Sequence, residues 1–335
     1  MSKPQEHPPV AHGKVGVLLV NLGTPDAPDA KSVRRYLAEF LSDRRVVEIP
    51  PLIWQPILRG AVLTTRPKKS AHAYAQVWGE EGSPLAVITA RQAAKLQERL
   101  GNSVTVSHAM RYGKPAIGAE LQALKDAGCE RILLAPLYPQ YSAATTATVV
   151  DKAADALRTM RWQPALRTLP AYYDDPLYIE ALAADLGAQL VQPGISPEVL
   201  LLSFHGLPQR TLELGDPYHC QCRKTARLLA EELARPDLRI VATFQSRFGR
   251  AKWLEPATDA VLAEEARRGT KRLAIAAPGF SADCLETLEE LAIRGRETFL
   301  EAGGEEFAVL SCLNTSEPGM AMLEGLVRRE LAGWV

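Results

Sequence analysis

Short apolar runs alternate with segments of helical periodicity along almost the whole chain, and this alternation restricts the possible fold more than any other feature. The apolar runs are bounded by turn residues and are typical of buried strands. They lie at 15–21, 104–109, 131–137, 164–169, 198–204, 239–245, 272–278 and 306–311. Apolar residues recur every three or four positions between them, which predicts helices over Ser32–Leu41, Ala86–Leu100, Ala116–Ala127, Tyr178–Leu190, Lys224–Leu233, Thr258–Arg267, Leu285–Leu300 and Met320–Leu331.

This order of elements predicts an α/β fold with a mostly parallel sheet. Eight strands can close one barrel or form two open sheets. The strand-to-helix connections differ greatly in length and a long insertion at 43–85 breaks any regular repeat, which favours two sheets of about four strands. At 335 residues the chain is also long enough for two cores, and we expect them to meet at the turn-rich segment 171–176.

Charge and cysteine usage narrow the classes of function. Lysine plus arginine and aspartate plus glutamate both total 39, so no basic excess exists to bind a nucleic-acid backbone. The polar, proline-rich leader at 1–13 is expected to be disordered and lacks the apolar region of a signal peptide, which predicts a cytoplasmic protein. Five scattered cysteines fit reduced thiols. The glycine-rich motifs of dehydrogenases and P-loop enzymes and the nucleophile motif of serine hydrolases are absent from the sequence.

The most hydrophobic segment, 46–63, is too short and too interrupted by prolines to be a spanning helix. Two interpretations of its first part, 46–58, remain open. It is either an irregular segment packed on a core or an apolar lip at the edge of a binding site, which contacts a hydrophobic ligand or a bilayer surface.

One histidine stands where an open α/β sheet builds its sites. His205 follows the apolar run Val199–Leu202, and Gly206 and Pro208 then turn the chain. A neutral imidazole held at the carboxyl edge of a sheet has a lone pair to offer to a proton or a metal ion. A purely structural role is the alternative.

A row of carboxylates follows a later strand and would face this histidine. Asp283 and Glu286 have the spacing of a capping box, so they can simply satisfy backbone donors at a helix start. Glu286 and Glu290 share one helix face, where like charges repel. A metal ion, a shared proton, an arginine or the helix N-terminus can offset that repulsion, and the first two are functional.

Aromatic and polar residues at other strand ends are expected to complete a pocket for a large, flat, apolar ligand with acidic groups. These residues are Arg111, Tyr112, Tyr138, Gln245, Ser246 and Trp253, with Arg66 and Arg111 as carboxylate partners. The cysteine spacings, including Cys220 and Cys222, do not match a paired zinc or redox motif.

Five ordered motifs, spread over residues 15–330, resemble those of the ferrochelatase family. They are Asn21-Leu22-Gly23-Thr24-Pro25, Tyr138-Pro139-Gln140-Tyr141-Ser142, Ser203-Phe204-His205-Gly206-Leu207-Pro208, Gly215-Asp216-Pro217-Tyr218 and Asp283-x-x-Glu286-Thr287-Leu288-x-Glu290. The resemblance implies two similar Rossmann-like domains, 14–172 and 173–317, with the C-terminal helix 318–335 free to return to the first. It also implies a lyase that inserts Fe(II) into protoporphyrin IX with release of two protons, the last step of haem biosynthesis.

The resemblance also assigns roles to residues. It implies that His205 and Glu286 are the catalytic pair and metal ligands, with Asp283 and Glu290 extending the acidic row. The porphyrin would be lined by Leu22, Arg66, Arg111, Tyr112, Tyr138, Gln245, Ser246 and Trp253. Segment 46–58 would be the lip of the cleft.

Departures from the family pattern refine these expectations. Family members with a [2Fe–2S] cluster carry a cysteine where this chain has Ala143, and others near the C-terminus, so we predict no cluster and no permanently bound cofactor. Position 284, often histidine in related sequences, is Cys284. Leu22 replaces the tyrosine of coproporphyrin enzymes, which favours protoporphyrin.

Partners and alternative functions stay open at this stage. Protoporphyrin IX and ferrous iron are the expected partners, without nucleic acid, and with peripheral contact to the cytoplasmic membrane face as a further expectation. A monomer or a homodimer is compatible with the sequence. The alternatives are a chelatase for another tetrapyrrole or metal and a porphyrin-binding protein without catalysis.

Overall fold

The chain forms two parallel sheets flanked by helices. The computed structural model describes residues 13–192, 194, 196–249 and 251–335, so the expected disordered leader, apart from Gly13, lies outside the described residues. The strands are β1 (Lys14–Gly23), β2 (Val104–Tyr112), β3 (Cys129–Pro136), β4 (Ala165–Thr168), β5 (Val199–His205), β6 (Arg239–Gln245), β7 (Arg272–Ala276) and β8 (Glu306–Val309). They form two four-stranded sheets with only parallel pairings, which confirms the fold class expected from the sequence.

The helices cover both faces of these sheets. They are α1 (Ala30–Ser42), α2 (Pro51–Ile57), α3 (Leu63–Val77), α4 (Pro84–Leu100), α5 (Ile117–Asp126), α6 (Thr148–Thr159), α7 (Pro176–Leu190), α8 (Gln209–Glu213), α9 (Tyr218–Leu233), α10 (Thr258–Arg267), α11 (Arg296–Glu301) and α12 (Glu317–Glu330). A short 3₁₀ turn occupies Gly101–Ser103, and π-helical segments occupy Leu58–Val62, Ala143–Ala147 and Glu286–Gly295.

The two sheets repeat one topology. The first sheet has the strand order β2-β1-β3-β4 and the second has the order β6-β5-β7-β8. Strands β5 to β8 therefore occupy the same relative positions in the second sheet as β1 to β4 occupy in the first. After the second strand of each half a proline carbonyl caps the sheet edge: Met110 N donates to Pro115 O at 2.7 Å, and Phe244 N donates to Pro256 O at 2.9 Å. A π-helical segment follows the third strand of each half. In parallel sheets of this kind sites form at the carboxyl ends of the strands.

The central strands are the most deeply buried elements. Six of the seven residues of β5 are buried, as their continuous apolar sequence requires for a strand covered on both faces. Helix α12 packs on α7 and also on α4.

Hydrogen bonds tie the two halves together beside the sheet edges. Gln140 Nε2 donates to Thr225 Oγ1 at 3.0 Å, and the Ser142 hydroxyl donates to the Asp216 carboxylate at 3.0 Å. The Asp216 carboxylate also accepts from Ala143 N at 2.8 Å, so an acid of the second half caps the first π-helical segment that follows a strand. Two of the motifs singled out in the sequence therefore meet at this junction.

Three sequence expectations about helices are corrected. The insertion 43–85 contains α2 and α3, and α6 follows the π-helical segment Ala143–Ala147, whereas the apolar periodicity indicated none of these. Segment 46–58 is irregular only over 46–50 and packs on a core only in part: Leu58 is buried, whereas none of the residues of α2 is buried and Leu52 is 93% exposed. The expected α-helix 285–300 is π-helical over Glu286–Gly295.

Candidate active site

His205 lies at the carboxyl end of β5, at the sheet edge where the sequence placed it. Its Nδ1 atom lies 2.7 Å from the carbonyl oxygen of Gly206. Since a carbonyl oxygen can only accept a hydrogen bond, Nδ1 carries the proton of the neutral ring. Nε2 therefore keeps its lone pair, and the ring can accept a proton or bind a metal ion there.

The turn after His205 is held by close backbone contacts with the neighbouring strand. Gly206 N donates to Gln245 O at 2.8 Å, and Leu254 N donates to Leu207 O at 2.9 Å. A Cβ atom on Gly206 would lie 2.4 Å from Gln245 O. Only glycine therefore fits the approach that fixes the position of the imidazole.

Glu286 begins the π-helical segment that follows β7 and is anchored to the same strand pair. Gln245 Nε2 donates to the backbone carbonyl of Glu286 at 3.2 Å, and the Gln245 Oε1 atom accepts from the Ser203 hydroxyl at 2.7 Å. Gln245 and Ser203 are both buried. The ends of β5 and β6 thus position both His205 and Glu286.

The carboxylate of Glu286 lies close to a wall of buried groups from the first half. Burial raises the pKa of Tyr74, and the negative charge of Glu286 raises it further. Burial, Tyr74 and Glu286 together raise the pKa of Tyr36. Both phenols therefore stay protonated at neutral pH and can donate hydrogen bonds toward the carboxylate.

Cys284 occupies the slot where related sequences often have histidine. Burial, followed by the charge of Glu286, raises the pKa of its thiol well above the ordinary value. The side chain stays a neutral thiol at neutral pH, so it cannot act as a base in place of an imidazole.

The other acids of the row are already engaged. Glu290 accepts from Ser246 N at 2.8 Å and from the Ser246 hydroxyl at 2.5 Å, and it lies 3.9 Å from Arg294. Asp283 accepts from the Thr287 hydroxyl at 2.9 Å and from Asn314 Nδ2 at 2.6 Å. Arg294 and the Ser246 hydroxyl thus offset the charge of Glu290, and the Thr287 hydroxyl and the Asn314 amide offset the charge of Asp283.

The π-helical geometry explains the pairing on this segment. Arg294 Nε lies 2.9 Å from Glu289, five positions earlier, and residues five apart are neighbours in a π-helix. The buried residues Thr287, Leu291 and Gly295 recur every four positions on the opposite face.

Two residues expected to bind substrate carboxylates or the macrocycle are committed elsewhere. Arg111 forms a buried ion pair with Asp43 and donates from Nε to the Thr148 hydroxyl at 2.7 Å. Tyr112 is fully buried and its hydroxyl donates to Asp43 at 2.8 Å. Burial would raise the pKa of Asp43, but the hydrogen bonds from Thr148, Arg45 N and Tyr112, with the charge of Arg111, lower it overall.

The remaining expected lining residues lie on two sides of a cleft. Leu22 packs partly buried beside Leu85 and Cys284, and the Tyr138 hydroxyl is buried without a hydrogen-bond partner. Arg66 extends from α3 over the ring of Phe248, 5.2 Å from its centroid. Phe248 in turn packs on Trp253, with 4.7 Å between ring centroids.

A cavity of about 640 Å³ opens beside these aromatic residues. Its walls include Gln245, Ser246 and Trp253, as the sequence analysis expected, and also Phe248 and Glu290. His205 and Glu286 are not among its lining residues, all of which lie between Gln245 and Thr298 of the second half.

Sequence reasoning missed four residues that shape the site: Tyr36, Tyr74, Asp43 and Phe248. Tyr36 lies on a helix whose apolar face indicated only packing. Tyr74 lies on α3, a helix that the periodicity did not predict, and Asp43 and Phe248 lie in connections. The run of unusual residues in 43–85 was the available signal for Asp43 and Tyr74.

The described residues contain no group of three or more histidine, cysteine, aspartate or glutamate side chains placed to hold a metal ion. Of the cysteines, all free, only Cys220 is exposed. In the described part of the chain, no helix is long and apolar enough to cross a bilayer.

Comparison with known proteins gives one consistent result. The sequence profile of the ferrochelatase family matches residues 14–331. A ferrochelatase of Rhizobium meliloti is 57% identical over 334 residues, covering 98% of each chain, and one of Methylocella silvestris is 50% identical over 337 residues, covering 98% of this chain and 97% of its own.

Two solved structures that resemble this fold are SirB proteins. SirB from Bacillus subtilis with Fe3+ has a TM-score of 0.58 at 13% identity, and it covers 96% of both chains. The sirohydrochlorin chelatase SirB from Bacillus subtilis subspecies spizizenii, in complex with cobalt, has a TM-score of 0.54 at 11% identity with the same coverage. At this identity the likeness concerns the fold.

Proposed function

This chain belongs to the ferrochelatase family and is a metal-chelating lyase of haem synthesis, and we propose that His205 and Glu286 carry its reaction on ferrous iron and protoporphyrin IX. The reaction removes two protons from pyrrole nitrogens as Fe(II) binds to all four nitrogens. It therefore needs a proton acceptor on one side of the ring and a site that releases iron to it.

His205 is the proton acceptor in this proposal. The lone pair on Nε2 takes the two pyrrole protons in turn and passes each to solvent, while the hydrogen bond between Nδ1 and Gly206 O holds the ring in place. Glu286 is the iron-delivering ligand, since a carboxylate oxygen suits ferrous iron and loses it readily to a nitrogen macrocycle. The buried phenols of Tyr36 and Tyr74 lie close enough to this carboxylate for its charge to raise their pKa values.

The single observation that carries the proposal is the shared anchoring of the pair. Gln245 contacts the turn after His205 through its backbone carbonyl and contacts Glu286 through its side chain. The two groups therefore keep a fixed relation, as a reaction with partners on both sides of a flat ring requires.

The porphyrin lies between Leu22 on the first half and Trp253 on the second. Ser246 of the second half and Arg66, which reaches Phe248 from the first half, lie where they can meet propionate groups. Because Arg111 is neutralised by Asp43, Arg66 is the cation that we assign to a substrate carboxylate. The enzyme works without a resident [2Fe–2S] cluster.

Anaerobic incubation with Fe(II) and protoporphyrin IX, followed by the haem spectrum, tests this function. We expect haem formation by the wild type, and loss of turnover in His205→Ala and Glu286→Gln with porphyrin binding retained. Asp26→Asn, at an exposed ion pair with Arg35, is the control. Porphyrin that binds to the wild type but never gains iron would contradict the enzyme, and faster metal insertion into another tetrapyrrole would contradict the substrate.

The same proposal places α2 against a bilayer at the cytoplasmic membrane face, as a lip for an apolar substrate. Leu52 and Ile53 on this helix are 93% and 58% exposed. Exposed cations, Arg59, Lys68 and Lys69, follow within the next turns and suit anionic headgroups.

A further inference from the structure

The entrance of the π-helical segment Glu286–Gly295 is held by a pair of side chains that the proposed chemistry does not use. Asp283 is 9% exposed and lies three residues before Glu286. Its Oδ2 atom accepts from Asn314 Nδ2 at 2.6 Å, while Asn314 Oδ1 accepts from the backbone N of Asp283 at 2.8 Å. The amide of Asn314 thus binds both the backbone and the side chain of Asp283.

The second oxygen of Asp283 reaches into the segment itself. Oδ1 accepts from the Thr287 hydroxyl at 2.9 Å and from Cys312 N at 3.4 Å. The Thr287 hydroxyl also lies 3.0 Å from Cys284 N, from which it accepts. Since Thr287 directly follows Glu286, Asp283 fixes the backbone next to the proposed iron ligand.

Both the backbone conformation and the hydrogen bonds of Asn314 suit an asparagine at this position. Its φ is +48°, in the left-handed region that asparagine tolerates better than most residues. The backbone carbonyl oxygen of Asn314 accepts a hydrogen bond from Gln92 Nε2 at 2.7 Å. Gln92 Nε2 also donates to Ser281 O at 3.0 Å. Gln92 belongs to α4 of the first half and is 4% exposed.

A continuous path of hydrogen bonds therefore joins α4, Asn314, Asp283 and Thr287. On its other side Glu286 is held by Gln245. We propose that Asp283 and Asn314 are positioning residues, which set the location of the Glu286 carboxylate across the cleft between the two halves. This inference rests on the proposed role of Glu286 and assigns Asp283 a positioning role, because both of its oxygens accept hydrogen bonds from the residues around the segment.

Exchanging the two side chains is the decisive experiment. Asp283→Asn places one amide donor against another, and Asn314→Asp places one carboxylate against another. The double variant D283N/N314D restores every hydrogen bond, because the amide introduced at position 283 can donate to the carboxylate introduced at position 314, while the oxygen of that amide still accepts from Thr287. The double variant also keeps the net charge of the pair.

We expect each single variant to lower kcat about tenfold or more, with KM for protoporphyrin changed about twofold at most, since misplacement of a reacting group mainly affects the chemical step. The double variant should recover most of kcat. Asn314→Gly keeps the left-handed backbone without the amide and should resemble the single variants, which provides a second test if a charged variant folds poorly. Asn102→Asp, at an exposed turn, is the matched control for the change of charge.

Hydrogen exchange gives a readout that does not depend on the chemistry of Glu286. Amide protons over 284–291 should exchange faster in the single variants and at the wild-type rate in the double variant. A double variant as inactive as D283N would overturn the inference and assign Asp283 a direct role. Wild-type kcat in both single variants would also overturn it. Wild-type turnover of Glu286→Gln would overturn the proposed role of Glu286, and the hydrogen-exchange result would then report only whether Asp283 and Asn314 hold the segment.

Discussion

At the scale of single residues, the sequence located the strand-end side chains, and their partners decided what each one does. His205 lies at the end of β5 as expected, with one ring nitrogen bound to Gly206 O and the other bearing its lone pair. Arg111 lies at the corresponding edge of the first sheet, but Asp43 neutralises it. Asp43 comes from a connection 68 positions away in the sequence, so no local pattern could reveal this pairing.

Gly206 is the residue whose replacement should separate positioning of the imidazole from its chemistry. We expect Gly206→Ala to destabilise the protein by about 1–3 kcal/mol and to lower kcat strongly, because its Cβ would meet Gln245 O. Gly60→Ala is the control, since nothing lies within 4 Å of its Cβ position. Thermal unfolding and haem formation measure the two effects, and equal stability of the two variants would refute the expected clash.

The buried pair of Asp43 and Arg111 should dominate stability at acidic pH. Its lowered pKa means that Asp43 contributes stability above the ordinary carboxyl pKa of about 4, and this contribution is lost as pH falls through its folded value. We expect Asp43→Asn to cost about 3 kcal/mol at neutral pH, because Arg111 would remain buried without a counter-charge, and to flatten the loss of stability on acidification.

Denaturant unfolding between neutral and acidic pH checks this expectation. The exposed pair Arg35–Asp26 supplies the control, and Asp26→Asn should leave the free energy of unfolding nearly unchanged. If Asp43→Asn and Asp26→Asn lower the free energy of unfolding equally at neutral pH, the expectation that burial makes the Asp43 pair more important for stability is wrong.

At the scale of elements, periodicity identified most of the helices that pack an apolar face on a sheet, although not α6, and it failed where other forces decide. The residues of α2 expose their apolar side chains, so packing leaves no mark on their pattern. The segment Glu286–Gly295 was expected to be α-helical, because buried positions four apart fit both α- and π-helical turns. Its ion pair between Arg294 and Glu289 and its anchoring to Gln245 exist only in the folded chain.

Asp216 should stabilise the π-helical segment Ala143–Ala147 and the junction of the halves together. Removing it in Asp216→Ala leaves Ala143 N and the Ser142 hydroxyl without their acceptor, and we expect a loss of about 1–3 kcal/mol together with a raised KM for porphyrin. Asp29→Ala is the matched control, since Asp29 caps α1 through Lys31 N and Ser32 N.

The control should lose about 1 kcal/mol without a change in KM. Chemical denaturation and steady-state kinetics measure both quantities. A KM for Asp216→Ala equal to that of the wild type would show that the junction does not influence the cleft.

At the scale of the whole molecule, two copies of one topology place their carboxyl edges so that residues of both halves meet. Tyr36 and Tyr74 of the first half lie near Glu286 of the second, and Arg66 reaches Phe248. The exposed helix α2 belongs to the first half and lies in the same insertion as Tyr74.

Membrane contact through α2 should depend on its exposed apolar side chains. We expect the double variant Leu52→Gln/Ile53→Gln to sediment less with vesicles of anionic lipid than the wild type, with an unchanged Tm, because both side chains are exposed in the folded protein. Val191→Gln, also at an exposed apolar residue, is the control and should bind as the wild type does. Equal vesicle binding by all three proteins would rule out α2 as the contact surface.

The sequence by itself determined the two parallel sheets, the strand ends that bear His205, Gln245 and the acidic segment, and the family. These depend on local apolar patterns and on motifs, which a single chain displays directly. Only the tertiary structure decided that Arg111 is neutralised, that Asp283 is clamped by Asn314, and that Glu286 lies near the buried Tyr36 and Tyr74. Each of these outcomes depends on a partner distant in the sequence, because the charge and hydrogen bonding of a buried group follow from what surrounds it in space.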